Sequence, residues 1–193
     1  MGKDLFGNKI IKKKRMTKLE KFLSKYDKDS FDDRLARLKY LNQIMPKEFG
    51  IAADPETVFV FSEAKMSYIN GEFIATILLA QAFIERKLQM HYESFGLEKI
   101  AKRGLKAIVS HARKNNILHI YLLEKIDILR KKRNPFTHFK SFENEFNLSQ
   151  RMFKELKKTT EFCKPYQMLE NDAKEAISLM YTIFLTKFGK VNQ

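Results

Sequence analysis

Within six residues, Arg133-Asn134-Pro135-Phe136-Thr137-His138 carries a guanidinium, a carboxamide and an imidazole. Those three side chains suit phosphodiester chemistry that needs no metal. Arg stays charged and offers a fork of donors to phosphate oxygens. His exchanges a proton near neutral pH, and Asn orients either the phosphate or a hydroxyl. Cleavage of RNA is the first reaction this set suggests. Two other Arg residues also have a His five or six positions on, Arg86 with His91 and Arg113 with His119, so spacing alone selects nothing. Context does: five helical steps turn about 140° and point Arg86 and His91 apart. Only Arg133 is followed directly by Asn and Pro.

The elements around the motif must position it. Pro135 predicts that the preceding helix ends near Lys132 or Arg133, because a proline inside a helix loses a hydrogen bond and clashes with the turn before it. Asn134 then suits an N-cap and Pro135 the first position of a new helix. Free backbone N–H groups and the positive end of a helix dipole would lie beside Arg133 and His138, and would attract phosphate. Plainer roles stand beside these. Arg133 fits an ion pair with Glu85 or Asp127, Asn134 fits a simple cap, and His138 fits an ordinary surface or packed imidazole. Glu85 either orients Arg133 or sits in a helix-surface ion pair. Arg130, Lys131 and Lys132 either hold RNA backbone or form a solvated helix end.

Composition bounds the protein more broadly. The 193 residues fit one domain plus an arm, and 44% hydrophobic residues with 17 Phe allow a substantial core. The Phe residues read as core, since they do not interleave with basic residues as base-stacking surfaces do. A net charge of +14 favours a polyanionic partner. Cys163 is the single cysteine, which excludes an intrachain disulfide or a cysteine-based zinc site and suggests a reducing compartment, the cytoplasm. His91, His111 and His119 lack the spacing and acidic companions of a metal site, so neither metal nor cofactor is expected. The most apolar stretch, Phe73 to Ile84, is interrupted by Thr76 and Gln81, so no membrane span is expected. No secretory signal is visible, and Phe6 stands where a myristoylation signal wants Ser or Thr.

Along the chain, residues 1–50 read as a basic arm with one or two short helices and 51–193 as a helical bundle. The first 28 residues hold ten Lys or Arg against three acids, half the total charge. The run Lys12-Lys13-Lys14-Arg15 either contacts nucleic-acid phosphates or is a solvated tail. Thr17 to Glu20 is a capping box, and Ser30 with Asp33 predicts a second helix start. Asp54-Pro55-Glu56 opens a helix that Asn70-Gly71 interrupts, and a longer apolar helix follows as far as Gly96. Gly104 precedes another, Asn115-Asn116 stops it, and Leu118 to Lys132 is helical again. Phe139 to Phe146 looks irregular. Ser149 opens a helix through Phe162 that Pro165 ends, and Asp172 caps a last helix before Gly189. With no convincing hairpin and no repeat, the fold class is an all-α helical bundle.

The motif Arg-Asn-Pro-x-x-His, preceded by Ile126-Asp127-Ile128-Leu129-Arg130, resembles that of the HEPN superfamily of helical RNA-processing proteins. Glu63-Ala64, Tyr68-Ile69-Asn70-Gly71, Leu79 to Glu85 and Asp172 to Ala176 extend the resemblance, which covers roughly Asp54 to Phe188. It implies a metal-independent endoribonuclease acting as a homodimer, with motifs from two protomers facing one cleft. Carried onto this chain, Arg133 and His138 are the catalytic pair and Asn134 the accompanying polar residue. The substrate 2′-hydroxyl attacks the adjacent phosphorus and leaves a 2′,3′-cyclic phosphate and a 5′-hydroxyl; His138 relays a proton while Arg133 neutralises charge on the phosphorane. A toxin or antiviral defence role follows from the resemblance, and a short acidic antitoxin or a sensor protein would suit the +14 surface. Many members of the family are inactive and serve as binding modules, so a silent nucleic-acid binder and a protein-interaction module stand as the alternatives.

Overall fold

The computed structural model describes residues 16–46, 50, 53–158 and 164–190. Among them are eight helices and no strand: α1 Lys18–Ile44, α2 Pro55–Asn70, α3 Phe73–Ser94, α4 Glu98–Ala101, α5 Leu105–Lys114, α6 Ile120–Thr137, α7 Leu148–Leu156 and α8 Pro165–Leu185. The all-helical class predicted from periodicity is what the backbone adopts. The basic run Lys12 to Arg15 and Cys163 lie outside the described residues.

Helix α3 is the hub, touching α2, α4, α5, α6 and α8. Its sequence requires this, because Phe73, Ile77, Ala80, Ile84 and Leu88 recur at helical spacing while Thr76, Gln81 and Phe83 are buried beside them. A helix apolar over most of its surface must be enclosed by others. Phe61 of α2 centres an aromatic cluster, with ring centroids 5.1 Å from Phe83, 5.1 Å from Tyr181 and 5.3 Å from Phe184. Such tilted and edge contacts add to the burial of the rings themselves. Not every Phe is core, however: Phe22, Phe31, Phe59, Phe139, Phe142 and Phe153 are exposed.

Several local signals form as their chemistry dictates. Thr17 and Glu20 make both bonds of the capping box on α1. Asp54 caps α2, accepting from Thr57 N at 2.9 Å, with Pro55 in the first turn. Gly71 ends α2 in the left-handed region at φ +80°, and a Cβ there would meet Arg37 Nη2 and Tyr166 Oη, each at 3.1 Å.

Three expected boundaries are corrected. Residues 18–44 form one helix, not two: Ser30 turns its hydroxyl back to the Tyr26 carbonyl at 2.8 Å instead of capping a new start. The C-terminal half of α1 also joins the bundle, since Leu41 is core and buried Arg37 donates to the Ile69 carbonyl at 3.0 Å. Pro165 begins α8 instead of ending a helix, as a first-turn proline needs no N–H partner. Asp172 consequently lies inside α8 and caps nothing; it is buried, bonded to Arg151 at 2.5 and 2.7 Å and paired with Lys132 Nζ at 2.8 Å.

Candidate active site at the end of α6

The expected break at Arg133 does not occur. Helix α6 runs through Pro135 to Thr137, and His138 follows in an extended conformation as its C-cap. The proline sits in the last turn, where only the Lys131 carbonyl loses its helical donor, and the ladder resumes with His138 N donating to Asn134 O at 2.9 Å. Asn134 is therefore helical and not an N-cap. The motif lies at the carbonyl end of a helix, so the expected free N–H groups and positive dipole end are absent there. Anion attraction must come from side chains, and the carbonyl end of α6 favours the cations Arg130 to Arg133.

Arg133 is held without a carboxylate partner among the described residues. Its Nη1 donates to Thr137 Oγ1 at 3.0 Å and more weakly toward Asn134 Oδ1 at 3.5 Å. Gln81 of α3, 2% exposed, supplies the other anchor. With its carboxamide oxygen toward the guanidinium, Gln81 accepts from Arg133 Nε at 3.2 Å and Nη2 at 3.0 Å; the opposite orientation sets donors against donors. Neither Glu85 nor Asp127 takes Arg133. Glu85 Oε1 accepts from Leu105 N at 2.9 Å and so caps α5, and Asp127 binds Arg130 at 2.8 Å and Lys131 at 2.9 Å. Burial raises the Asp127 carboxyl, but hydrogen bonds from Lys131 and Arg130 outweigh it and leave the pKa below its usual value.

The remaining site residues divide sharply. His138 is exposed, its ring making no hydrogen bond among the described residues, and no hydrogen bond joins it to Arg133. Phe139 follows and is 98% exposed. Lys131, bonded to Asp127, also lies 5.8 Å over the Phe146 ring. Lys132 is tied to Asp172 and to Glu175 at 2.7 Å, and Arg130 to Asp127, so both are neutralised within the bundle. Gln81 and Phe139, with the Thr137 hydroxyl that also holds Arg133, are residues here that sequence reasoning passed over. An amide interrupting the apolar run of α3 was the available signal for the first, and an aromatic directly after the motif for the second.

The other two Arg and His pairs have different occupations. Arg86 is bonded to Asp54 at 2.5 Å and to Thr57 Oγ1 at 2.9 Å. His91 Nε2 is 2.9 Å from the Gly189 carbonyl, and His119 caps α6 by accepting from Tyr121 N. His111 Nδ1 meets the Tyr92 hydroxyl at 3.1 Å. No group of three or more His, Cys, Asp or Glu suited to a metal is found among the described residues. No described helix is long and apolar enough to cross a membrane.

No protein-family model matches this chain, nor does any curated protein or solved structure searched.

Proposed function

We propose that this protein is an endoribonuclease of the HEPN type that cuts RNA without a metal, by attack of the 2′-hydroxyl on the adjacent phosphorus. The observation that carries the reading is Arg133: a guanidinium with no carboxylate partner among the described residues, fixed by a buried amide and a threonine hydroxyl, on the helix whose C-cap carries the exposed imidazole of His138. A cation so held keeps its charge for a developing phosphorane and needs no rearrangement to meet it. His138 exchanges the proton of the attacking hydroxyl or of the leaving 5′-oxygen, Asn134 orients the phosphate, and the exposed Phe139 ring offers a face for a base. A homodimer in which two motifs face one cleft supplies a second imidazole, so that one acts as base and the other as acid. A growth-arresting toxin or defence effector, held in check by an acidic partner or a sensor, is the corresponding biological role.

A second reading has its own support. Arg130 and Lys132 are engaged by carboxylates, and the motif sits at the negative end of a helix. Both features reduce the pull on a phosphate and favour a catalytically silent binding module.

End-labelled single-stranded RNA incubated in EDTA with wild type, His138→Ala and Arg133→Ala separates the two. Wild type is expected to leave 2′,3′-cyclic phosphate ends, and each variant to cut at least about 100-fold more slowly. RNA bound but uncut by all three proteins would favour the silent module, and equal cutting by all three would remove both residues from the chemistry.

A further inference from the structure

Along α3, Phe83, Lys87, Met90 and His91 recur at helical spacing and so share one face. With Phe184 of α8 and Phe188 beyond it they wall a cavity of about 320 Å³, within the range that holds small ligands. Met90 is exposed, so a small molecule can enter past it. Lys87 and His91 are the titratable groups of the lining. Its two hydroxyls are already committed, Thr57 to Asp54 Oδ2 and Thr186 to the Thr182 carbonyl, each at 2.7 Å.

A lysine on such a face commonly lays its stem on apolar neighbours and carries its ammonium to water beside a carboxylate. Lys87 instead donates from Nζ to the Phe184 carbonyl at 3.3 Å, with Nζ 5.4 and 6.0 Å from the ring centroids of Phe184 and Phe188. No carboxylate among the described residues pairs with it, and Asp54 and Glu56, the acids at the start of α2, are engaged by Arg86. The rings and the carbonyl favour the ammonium, but at these distances only weakly. Loss of water is the larger effect and holds the Lys87 pKa below the ordinary lysine value. An amine desolvated among aromatic rings, without a counter-ion, is the form of lysine that adds to a carbonyl carbon.

We propose that this cavity binds a small apolar aldehyde and that Lys87 holds it as an imine. The aromatic walls take the apolar body of the aldehyde, and its carbonyl carbon meets Nζ. The Nζ lone pair forms the C–N bond as the C=O π pair moves onto oxygen, and a proton passes from nitrogen to that oxygen to give a carbinolamine. The hydroxyl then takes a second proton and leaves as water while the nitrogen lone pair closes the C=N bond, and nitrogen releases its remaining proton. One aldehyde and one amine thus give one imine and one water, with nothing oxidised or reduced. His91, four residues on and lining the same cavity, exchanges the protons. The site shares no residue with the one built on Arg133, so its failure leaves the nuclease reading untouched.

Benzaldehyde with cyanoborohydride, which reduces an imine to a stable amine, tests the site on the full chain near neutral pH, with peptide mass mapping of the lysines. Lys87 is expected to be labelled at least about 10-fold faster than the exposed Lys99 and Lys106, at a rate that saturates with benzaldehyde. Benzyl alcohol, which fills the same space but forms no imine, should slow labelling at Lys87 alone and needs no variant. Phe188→Ala lets water reach Nζ and should bring Lys87 down to the rate of the exposed lysines. Labelling of Lys87 no faster than that of Lys99 would overturn the proposal. So would a rate that stays linear in benzaldehyde up to ~20 mM, the behaviour of a reactive amine without a binding site. Indifference to benzyl alcohol, or fast labelling retained in a folded Phe188→Ala chain, would overturn it equally.

Discussion

A guanidinium serves a phosphorane only if its position is fixed and its charge is not already neutralised. Arg130 and Arg86 fail the second condition, being bonded to Asp127 and Asp54. Arg133 meets both because its partner is an amide: Gln81 accepts two of its N–H groups yet brings no negative charge. At this scale the proposed function makes Gln81 a positioning residue. Gln81→Leu removes the acceptor and leaves two donors against an apolar side chain, so the guanidinium should drift from its place. Cleavage is expected to fall about 10- to 100-fold, with the shape of its pH profile unchanged, and Gln81→Glu should also impair it by neutralising the cation. A Gln81→Leu chain that folds and cuts at the wild-type rate would show that the amide only fills space.

At the scale of elements, the turn between α2 and α3 sets how the two central helices meet. Gly71 provides it with a left-handed φ, and the guanidinium of Arg37 from α1 lies where a side chain would go. Arg37 in turn binds the Ile69 carbonyl and Glu170 Oε1, so one glycine brings α1, α2 and α8 together. Gly71→Ala incurs both the left-handed penalty and a contact at 3.1 Å with the Arg37 and Tyr166 side chains. A loss of roughly 1–2 kcal/mol is expected, read as a fall in Tm of a few degrees. An unchanged melting curve would mean that the turn relaxes freely.

At the scale of the whole molecule, the tail after α8 closes the fold. Gly189 N donates to the Ile117 carbonyl at 2.9 Å, and the Gly189 carbonyl meets His91 Nε2 on α3. The His91 ring packs edge-on to Phe95 and Phe188 at 5.1 and 5.0 Å. Burial there lowers its pKa below 6.5; the Gly189 carbonyl opposes the shift and nearby Lys87 adds to it. The unfolded chain therefore binds a proton more readily than the folded one. This contribution is fully present above about pH 6.5 and is lost as the pH falls below that value toward the lower folded pKa. Thermal unfolding between pH 7.5 and 5 should show wild type losing more stability than His91→Gln, and parallel curves would exclude the ring as the source.

Much of this molecule was legible because its cause is local. The Thr17 capping box, the Asp54-Pro55 start, the Gly71 stop and the apolar periodicity of α3 need only neighbours within a turn, so the helical class and several boundaries follow from residue order. The Arg-Asn-Pro-x-x-His motif was likewise visible, along with the candidate roles of Arg133 and His138. Tertiary contacts decided the rest. Whether Pro135 breaks α6 depends on its distance from the end of a helix already held by burial of Leu123, Ile126 and Leu129. Asp172, with the composition of a cap, lies mid-helix because Arg151 and Lys132 converge on it from other elements. Lys132 flanks the motif in sequence and Glu85 ends the apolar run of α3, yet their partners lie 43 and 20 residues away. A side chain's partner is fixed by which helices pack together, and that is a property of the assembled core and not of any short run of sequence.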